Sequence, residues 1–314
     1  MTTLYRSAKL EAMLCDRLYA ATRCDLRSPL TERRIEETAA ILKSGRGSLF
    51  ALAGAAADFS MARGYPVSFR GHAGSLLVSH LLGFAQNNPM KLGIPWQGAF
   101  SKAGMPPHIT LNVAPEVYGD VRQHLKELAT DCNVLWDVPG QPSYRVVFAP
   151  EPYDPAHRYL SLDILTHSLL SQVGNAARAA GRMPRRDKVL SPAFVQKVWA
   201  EDMWDTPILR DMAPLRDDAP ELEPRSFSDL IRLLGLALAP PEWREQLDNE
   251  QGAAPGHMIA TREDLYERLL QKGAPRREAL AALRSERGLY PRAQCAEYLT
   301  YALVLAWFRD NGAA

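Results

Sequence analysis

The chain has 314 residues, of which 46% are hydrophobic and 23% are charged, proportions that are ordinary for a soluble globular protein. Its 37 basic and 36 acidic residues leave a formal net charge of +1, which excludes the clear basic excess that is typical of strong non-specific nucleic-acid binding. A chain of this length can bury one large core or two modest ones.

Four cysteines, Cys15, Cys24, Cys132 and Cys295, are far apart, without a C-x-x-C pair or the spacing of a zinc site. No signal peptide is evident, because residues 1–10 have no apolar core. The longest apolar stretches are about 10–12 residues, shorter than the roughly 20 residues that span a bilayer. We therefore expect a soluble, cytoplasmic protein with reduced cysteines and no membrane partner.

The amino-terminal part is predicted to be mainly helical. Apolar spacing indicates helices over Ala8 to Thr22 and over Leu49 to Arg63. Between them lies another predicted helix, which Thr31 caps and Gly45 ends. A short strand over Pro66 to Phe69 follows and leads into a glycine-containing loop.

This loop has the sequence R-G-H-A-G-S over residues 70–75 and precedes a helix predicted over Leu76 to Phe84. A strand, a glycine-containing loop and a helix N-terminus in this order present backbone N–H groups to an anion. The same pattern is also typical of a tight strand-to-helix turn without a ligand, and both interpretations stay open. The candidate nucleotide- or phosphate-binding residues are Arg70, Gly71, Gly74 and Ser75.

Two later strands contain the polar residues that bear on chemistry. In the strand predicted over Pro107 to Val113, apolar residues alternate with polar ones, among them His108 and Thr110. In the strand predicted over Tyr159 to Leu165, Asp163 lies between two apolar residues. The polar face of the first strand therefore contains no carboxylate, although a metal-dependent enzyme would place carboxylates there.

Further strands are predicted over Asn133 to Trp136 and over Tyr144 to Ala149. From Ser191 onward we expect helices and loops, and the clearest helices cover Ser226 to Leu238, Thr261 to Lys272, Pro275 to Arg284 and Pro291 to Arg309. The sequence therefore predicts an α+β fold. A mixed-sheet region with packed helices covers residues 1–185, and an all-helical region covers residues 186–314.

Several of these stretches, in this order, resemble segments of the bacterial C-family replicative DNA polymerases, specifically the PolC-type DNA polymerase III alpha subunit. Residues 68–75 are similar to that family's phosphate loop, residues 107–112 to its first catalytic strand, and residues 162–165 to its second. Residues 226–236, 259–265 and 291–298 resemble its fingers. The resemblance implies a palm with thumb-like helices over residues 1–185 and helical fingers over residues 186–314.

The resemblance also implies an activity and a cofactor. Members of this family are DNA-directed DNA polymerases, and three aspartates on their two catalytic strands hold two Mg²⁺ ions. In this sequence His108 and Thr110 stand at the two first-strand positions, and Asp163 remains on the second strand. Because Mg²⁺ requires hard anionic oxygen ligands, Asp163 alone makes an incomplete metal site, and we do not expect tight Mg²⁺ binding.

Each candidate residue also has a simpler interpretation. Asp163 is either a remnant of the catalytic site or, as we favour, a leftover acid that is hydrogen-bonded to a neighbour such as Arg158 or His167. His108 is either a ligand or base, or a packed and hydrogen-bonded residue. Two arginine clusters either meet phosphates or are solvated surfaces; they comprise Arg178, Arg182, Arg185 and Arg186, and Arg276, Arg277, Arg284, Arg287 and Arg292.

The favoured hypothesis is a degenerate PolC-like core, related to DNA replication proteins but catalytically inactive. It would keep weak binding to DNA or nucleotide, or a role in interactions with replication proteins. One alternative is an active minimal DNA polymerase or nucleotidyltransferase with rearranged metal ligands. Another is a purely protein-interaction or regulatory module.

Overall fold

The computed structural model of this protein describes residues 7–22, 28–130, 134–136, 144–148, 154, 159–201, 203, 206–218, 222–244 and 258–312. The chain divides into two compact units. The first unit consists of Met1–Lys91 and Ala99–Gly174, and the second consists of Leu92–Gly98 and Asn175–Ala314. The domain boundary predicted near residue 185 therefore lies within the second unit.

The described part of residues 7–179 contains six α-helices. They are α1 (Ala8–Thr22), α2 (Pro29–Lys43), α3 (Gly47–Ala62), α4 (Leu77–Leu81), α5 (Pro115–Leu128) and α6 (Ser168–Ala179). Of these, α1, α2 and α3 lie close to their predicted positions. The prediction that Thr31 caps α2 is wrong. Ser28 is the cap, and its side chain accepts a hydrogen bond from the backbone N–H of Thr31 at 3.3 Å. Pro29 favours this start, because proline fits the first position of a helix.

The first unit contains a five-stranded mixed sheet, which confirms the predicted α+β fold. Its strands are β1 (Ser68–Arg70), β2 (Ile109–Val113), β3 (Val134–Trp136), β4 (Arg145–Phe148) and β5 (Leu160–Thr166). They lie in the order β1-β2-β5-β4-β3. The pair β2–β5 is parallel, and the other neighbouring pairs are antiparallel. Strands β2 and β5 are therefore direct neighbours. Thr110 lies in β2, Asp163 lies in β5, and His108 immediately precedes β2.

The two faces of this sheet differ in chemistry, because successive residues of a strand point to opposite sides. One face is apolar, and α3 and α5 contact the strands. Buried residues of the apolar face include Phe69, Ile109, Leu111, Val146, Leu162 and Ile164. The opposite, polar face contains Arg70, Thr110, Arg145 and Asp163. Because a one-residue slip would exchange the two faces, burial of the apolar face sets the register.

The second unit is helical in its described residues, apart from turns and an isolated bridge between Thr261 and Tyr290. Its helices are α7 (Arg186–Val189), α8 (Pro192–Ala200), α9 (Pro207–Arg210), α10 (Ala213–Asp218), α11 (Phe227–Leu238), α12 (Pro241–Arg244), α13 (Arg262–Gln271), α14 (Arg276–Ser285) and α15 (Arg292–Asp310). Helix α15 is buried along most of its length and contacts α11. Among the helices of the described residues, none has the length and apolar character needed to cross a membrane.

A buried ion cluster joins the starts of α13 and α15. Asp264 Oδ1 accepts hydrogen bonds from Arg292 Nη2 at 2.7 Å and from Arg232 Nε at 3.0 Å. The other oxygen of Asp264 accepts a bond from the backbone N–H of Thr261 at 2.8 Å, which completes a capping box. Burial opposes ionisation of Asp264, but Arg292 and Arg232 nevertheless lower its pKa. The carboxylate therefore stays charged and holds these elements together.

We predict that Asp264→Ala destabilises the protein by about 3–5 kcal/mol, because Arg232 loses its ion pair and Arg292 keeps its pair with Glu267 but loses the one with Asp264. The capping box of α13 also loses the hydrogen bond that Asp264 accepts from the backbone N–H of Thr261. Urea unfolding followed by circular dichroism measures the loss. The matched control is Asp217→Ala, which removes an exposed ion pair with Arg216 and should cost less than about 1 kcal/mol. Equal losses in the two variants would contradict this account.

Candidate functional site

Four strands bring Arg70, Thr110, Asp163 and Arg145 into one row across the polar face. Arg70 of β1 lies opposite Thr110 of β2, and Thr110 is in parallel register with Asp163 of β5. Asp163 in turn lies opposite Arg145 of β4. Because paired residues of neighbouring strands share a face, all four side chains leave the sheet on the same side. At a strand spacing of about 4.8 Å, the Cα atoms of Arg70 and Arg145 are roughly 14 Å apart.

Asp163 lies between two basic side chains. Arg145 donates from Nε to Asp163 Oδ1 at 2.7 Å and from Nη2 to Oδ2 at 3.0 Å, which is a two-pronged ion pair. His108 Nε2 lies 3.0 Å from Oδ2 and donates there, because an ionised carboxylate only accepts. The Asp163 side chain is 9% exposed, that of Arg145 is 30% exposed and that of His108 is 42% exposed. Both oxygens of Asp163 are therefore engaged.

These partners differ from the ones proposed from sequence. His167 was one expected partner of Asp163, but the structure pairs Asp163 with His108 and Arg145 instead. The other expected partner, Arg158, lies outside the described residues. The structure does bring together Asp163 with His108 and Thr110, the residues at the three metal-binding positions of the resemblance.

His108 is positioned by the segment that precedes β2. Arg46, at the start of α3, donates from Nη1 to the carbonyl oxygens of Pro106 and Pro107 at 3.1 and 3.3 Å. Pro107 restricts the backbone before it, because proline disfavours the helical region for the preceding residue. The residue next in the chain, His108, is therefore held at the edge of the polar face within reach of Asp163.

The electrostatics of Asp163 follow from this environment. Burial alone would raise its pKa, but hydrogen bonds and charge interactions with His108 and Arg145 lower its pKa to about 2. Asp163 is therefore ionised at neutral pH, and a guanidinium group that does not lose its proton compensates its charge. The positive charge of Arg145 beside both oxygens opposes the approach of a metal ion.

The residues present do not fit the pair of Mg²⁺ ions that the resemblance implies. Mg²⁺ takes hard oxygen ligands in octahedral geometry, whereas the three corresponding side chains here are an imidazole, a neutral hydroxyl and an ion-paired carboxylate. Within the residues that the structure describes, no group of three or more His, Cys, Asp or Glu side chains is arranged to hold a metal ion.

The glycine loop joins β1 to α4 in a different way from the prediction. Residues 71–75 form a 3₁₀ turn, and α4 covers only Leu77–Leu81 instead of the predicted Leu76 to Phe84. The start of α4 meets an internal carboxylate, because the backbone N–H of Val78 donates to Glu37 Oε2 at 2.9 Å. Glu37 is fully buried and is paired with Arg33 Nε at 2.7 Å. Glu37 therefore accepts a hydrogen bond from a backbone N–H group at the start of this helix, where the sequence pattern predicted an anion-binding site.

The two loop glycines have structural explanations. Gly71 has a φ of 75°, a backbone conformation that favours glycine. Gly74 lies against the buried ring of Phe69, and a Cβ atom at this position would come within 1.8 Å of the ring. Ser75 is buried, and Arg33 Nη2 donates to its carbonyl oxygen at 2.9 Å. Of the four candidate phosphate-binding residues, Arg70 presents an exposed charged group on the polar face.

His167 follows β5 directly and begins the connection to α6. Its Nδ1 accepts a hydrogen bond from the backbone N–H of Leu169 at 3.2 Å. Burial lowers the pKa of His167, and the positive charge of Arg70 lowers it further. His167 is therefore neutral at pH 7 and caps the first turn of α6.

Arg145 is a residue of this candidate site that was not predicted from the sequence. It begins a short strand of sequence R-V-V-F. A charged residue at the start of an otherwise apolar strand was the one local feature that distinguished it. Its importance depends on β4 lying next to β5, and that pairing is not evident from the local pattern. The two predicted arginine clusters each contain an arginine that pairs with an acid of the protein. Arg292 is buried in the Asp264 cluster, and Arg185 pairs with Asp187.

The sequence matches no model of a known protein family, and a comparison with curated proteins likewise finds no match. The resemblance to the C-family polymerases therefore stays a prediction, which depends on short sequence segments that occur in the same order.

We predict that Gly74→Ala destabilises the protein by about 2–3 kcal/mol, because the added methyl group must displace the Phe69 ring or the backbone. The matched control is Gly119→Ala in α5, where a Cβ atom meets nothing within 4 Å. That change should stabilise the helix by roughly 0.5–1 kcal/mol. Urea denaturation measures both effects. A neutral Gly74→Ala would show that close packing does not require this glycine.

We also predict that the contribution of the Asp163 ion pairs to the free energy of unfolding decreases at acidic pH. Because the folded pKa of about 2 is below the unfolded value near 3.9, the charge of Asp163 adds about 2 kcal/mol of stability above pH 4. This contribution is lost as the pH falls from about 4 towards 2. Unfolding free energies of the wild type and Asp163→Asn over this range measure it. A difference that does not change with pH would contradict the assignment.

Proposed function

We propose that this chain is a non-catalytic protein with a polymerase-like sheet, which contacts DNA or nucleotide weakly and does not transfer nucleotides. The observation that carries the proposal is the pairing of Asp163 with Arg145 and His108. This carboxylate is the one acid left at the three metal-binding positions that the resemblance identifies, and its charge is already compensated inside the protein.

Two-metal nucleotidyl transfer requires metal ligands that this arrangement lacks. In two-metal enzymes the ions activate the attacking hydroxyl and stabilise charge on both the attacking and leaving oxygens. Arg145 supplies a fixed positive charge, which can attract a phosphate, but a guanidinium group does not ionise a hydroxyl as a bound metal does. The polar face is therefore suited to binding an anion and not to activating a nucleophile.

The exposed charge of the polar face supports weak binding. Arg70 is exposed, and Arg145 is partly exposed, so two guanidinium groups flank one carboxylate along the row. Such a face attracts phosphate groups, while a chain with a net charge of +1 binds nucleic acid weakly at physiological salt. In this proposal the protein works in the cytoplasm, where its described cysteines, Cys15 and Cys295, stay as free thiols.

We predict that the protein does not extend a primed DNA template with either Mg²⁺ or Mn²⁺, because the polar face lacks the ligands that would hold the two ions. A gel assay with all four deoxynucleotides measures extension, and an active polymerase provides the positive control. Asp163→Ala should be indistinguishable from the wild type. Incorporation by the wild type that is lost in Asp163→Ala would establish the alternative of an active minimal polymerase.

The same labelled primer–template tests the binding part of the proposal by fluorescence anisotropy. Binding should be detectable at low salt and should fall steeply as salt is added. Arg70→Gln should weaken it, whereas the control Lys102→Gln, which removes an exposed charge from a loop of the same unit, should not. Absence of binding at low salt would favour the protein-interaction module.

A further inference from the structure

A surface on α5 and β3 combines cations with aromatic rings, and the proposed function does not use it. The Arg122 guanidinium lies 5.7 Å from the ring centroid of Tyr118 and 5.6 Å from that of Trp136. The Lys126 ammonium lies 5.5 Å from the Trp136 centroid. We call these four residues the α5–β3 ridge. Lys126 is exposed, and the other three are half-buried.

The acids of α5 lie on a different side of the helix from the ridge. At about 100° per residue, Tyr118, Arg122 and Lys126 fall within roughly 80° of arc, because they are spaced four residues apart. The same spacing places the acids of α5 on an arc centred roughly opposite Tyr118; they are Glu116, Asp120 and Glu127. Helix α5 is therefore segregated by charge, with its cations on the ridge.

Each of these acids also has a partner away from the ridge. Asp120 pairs with Arg63 of α3, and Glu116 accepts a hydrogen bond from Ser171 Oγ at 2.6 Å. Glu127 accepts one from Gln123 at 2.9 Å on the same side of α5. The acids of α5 are thus oriented towards other groups, whereas Arg122 and Lys126 lie beside the rings of the ridge.

The chemistry of the ridge suits a single strand of nucleic acid. Arg122 and Lys126 are one helical turn apart, about 6 Å along the axis, a spacing that can follow consecutive phosphates of an extended strand. Contacts with the two rings hold both cations in place, so less side-chain entropy is lost on binding. Aromatic rings beside cations are typical of surfaces that bind unpaired bases and a phosphate backbone together. An acidic peptide would use the cations but would have no base to place against the rings.

We propose that the α5–β3 ridge binds single-stranded nucleic acid, with Arg122 and Lys126 contacting phosphates and Tyr118 and Trp136 contacting bases. The ridge is on the side of the sheet that α3 and α5 cover, because Trp136 pairs with Val146 of the apolar face. It is therefore separate from the row that contains Asp163, and the inference does not depend on the absence of nucleotide transfer.

The test is fluorescence anisotropy of a labelled oligothymidylate with the full chain, over a series of salt concentrations. Lys126→Gln and Arg122→Gln should each weaken binding by about threefold or more at low salt, and each should reduce the slope of log K against log salt by about 0.7. Lys126 is exposed, so its replacement should leave the fold intact. The matched control is Lys102→Gln, which removes an exposed charge from a loop of the same unit and should change neither quantity.

The outcomes separate this inference from the proposed function. Unchanged affinity and salt slope in both ridge variants would overturn the inference, as would tighter binding of a labelled polyglutamate than of the oligonucleotide. Oligonucleotide binding that depends on Arg70 but not on Lys126 would overturn the ridge and leave the proposed function standing. Primer extension by the wild type would instead overturn the proposed function, without affecting binding at the ridge.

Discussion

The charge on Asp163 is the constraint around which the polar face is arranged. A carboxylate that is only 9% exposed is costly unless a partner compensates it. Arg145 supplies that partner across the β4–β5 pair, and His108 supplies a second one from the residue before β2. The ion pairs therefore connect three strands at the centre of the sheet. The same contacts place the guanidinium of Arg145 beside both carboxylate oxygens, and this positive charge opposes metal binding there.

Internal pairing of charges recurs elsewhere in the chain. Glu37 accepts a hydrogen bond from the start of α4 and is held by Arg33, although a loop of this sequence pattern can offer its N–H groups to a phosphate. In the second unit Asp264 binds Arg292, one of the arginines that the sequence offered to nucleic acid. Three sites at which the sequence allows an external ligand thus contain a side chain of the protein instead.

Local patterns predicted most of the elements. Alternation of apolar residues identified β2 and β5, and apolar spacing identified the long helices, because each depends on residues only a few positions apart. The helix after the glycine loop was predicted too long, since its apolar residues continue beyond Leu81, where the helix ends. The cap of α2 was assigned to Thr31, a good cap former, but the helix begins at Pro29 and Ser28 is its cap.

The sequence by itself determined that one strand has no acid at positions 108 and 110, that Asp163 lies on a second strand, and that the chain combines a mixed sheet with a helical region. Only the tertiary structure decided which groups meet Asp163, which acid meets α4, and why Gly74 is a glycine. The physical reason is distance along the chain. Asp163 lies 18 residues from Arg145 and 55 from His108, and Glu37 lies 41 from Val78. Such contacts depend on strand order and helix packing, which no local pattern encodes.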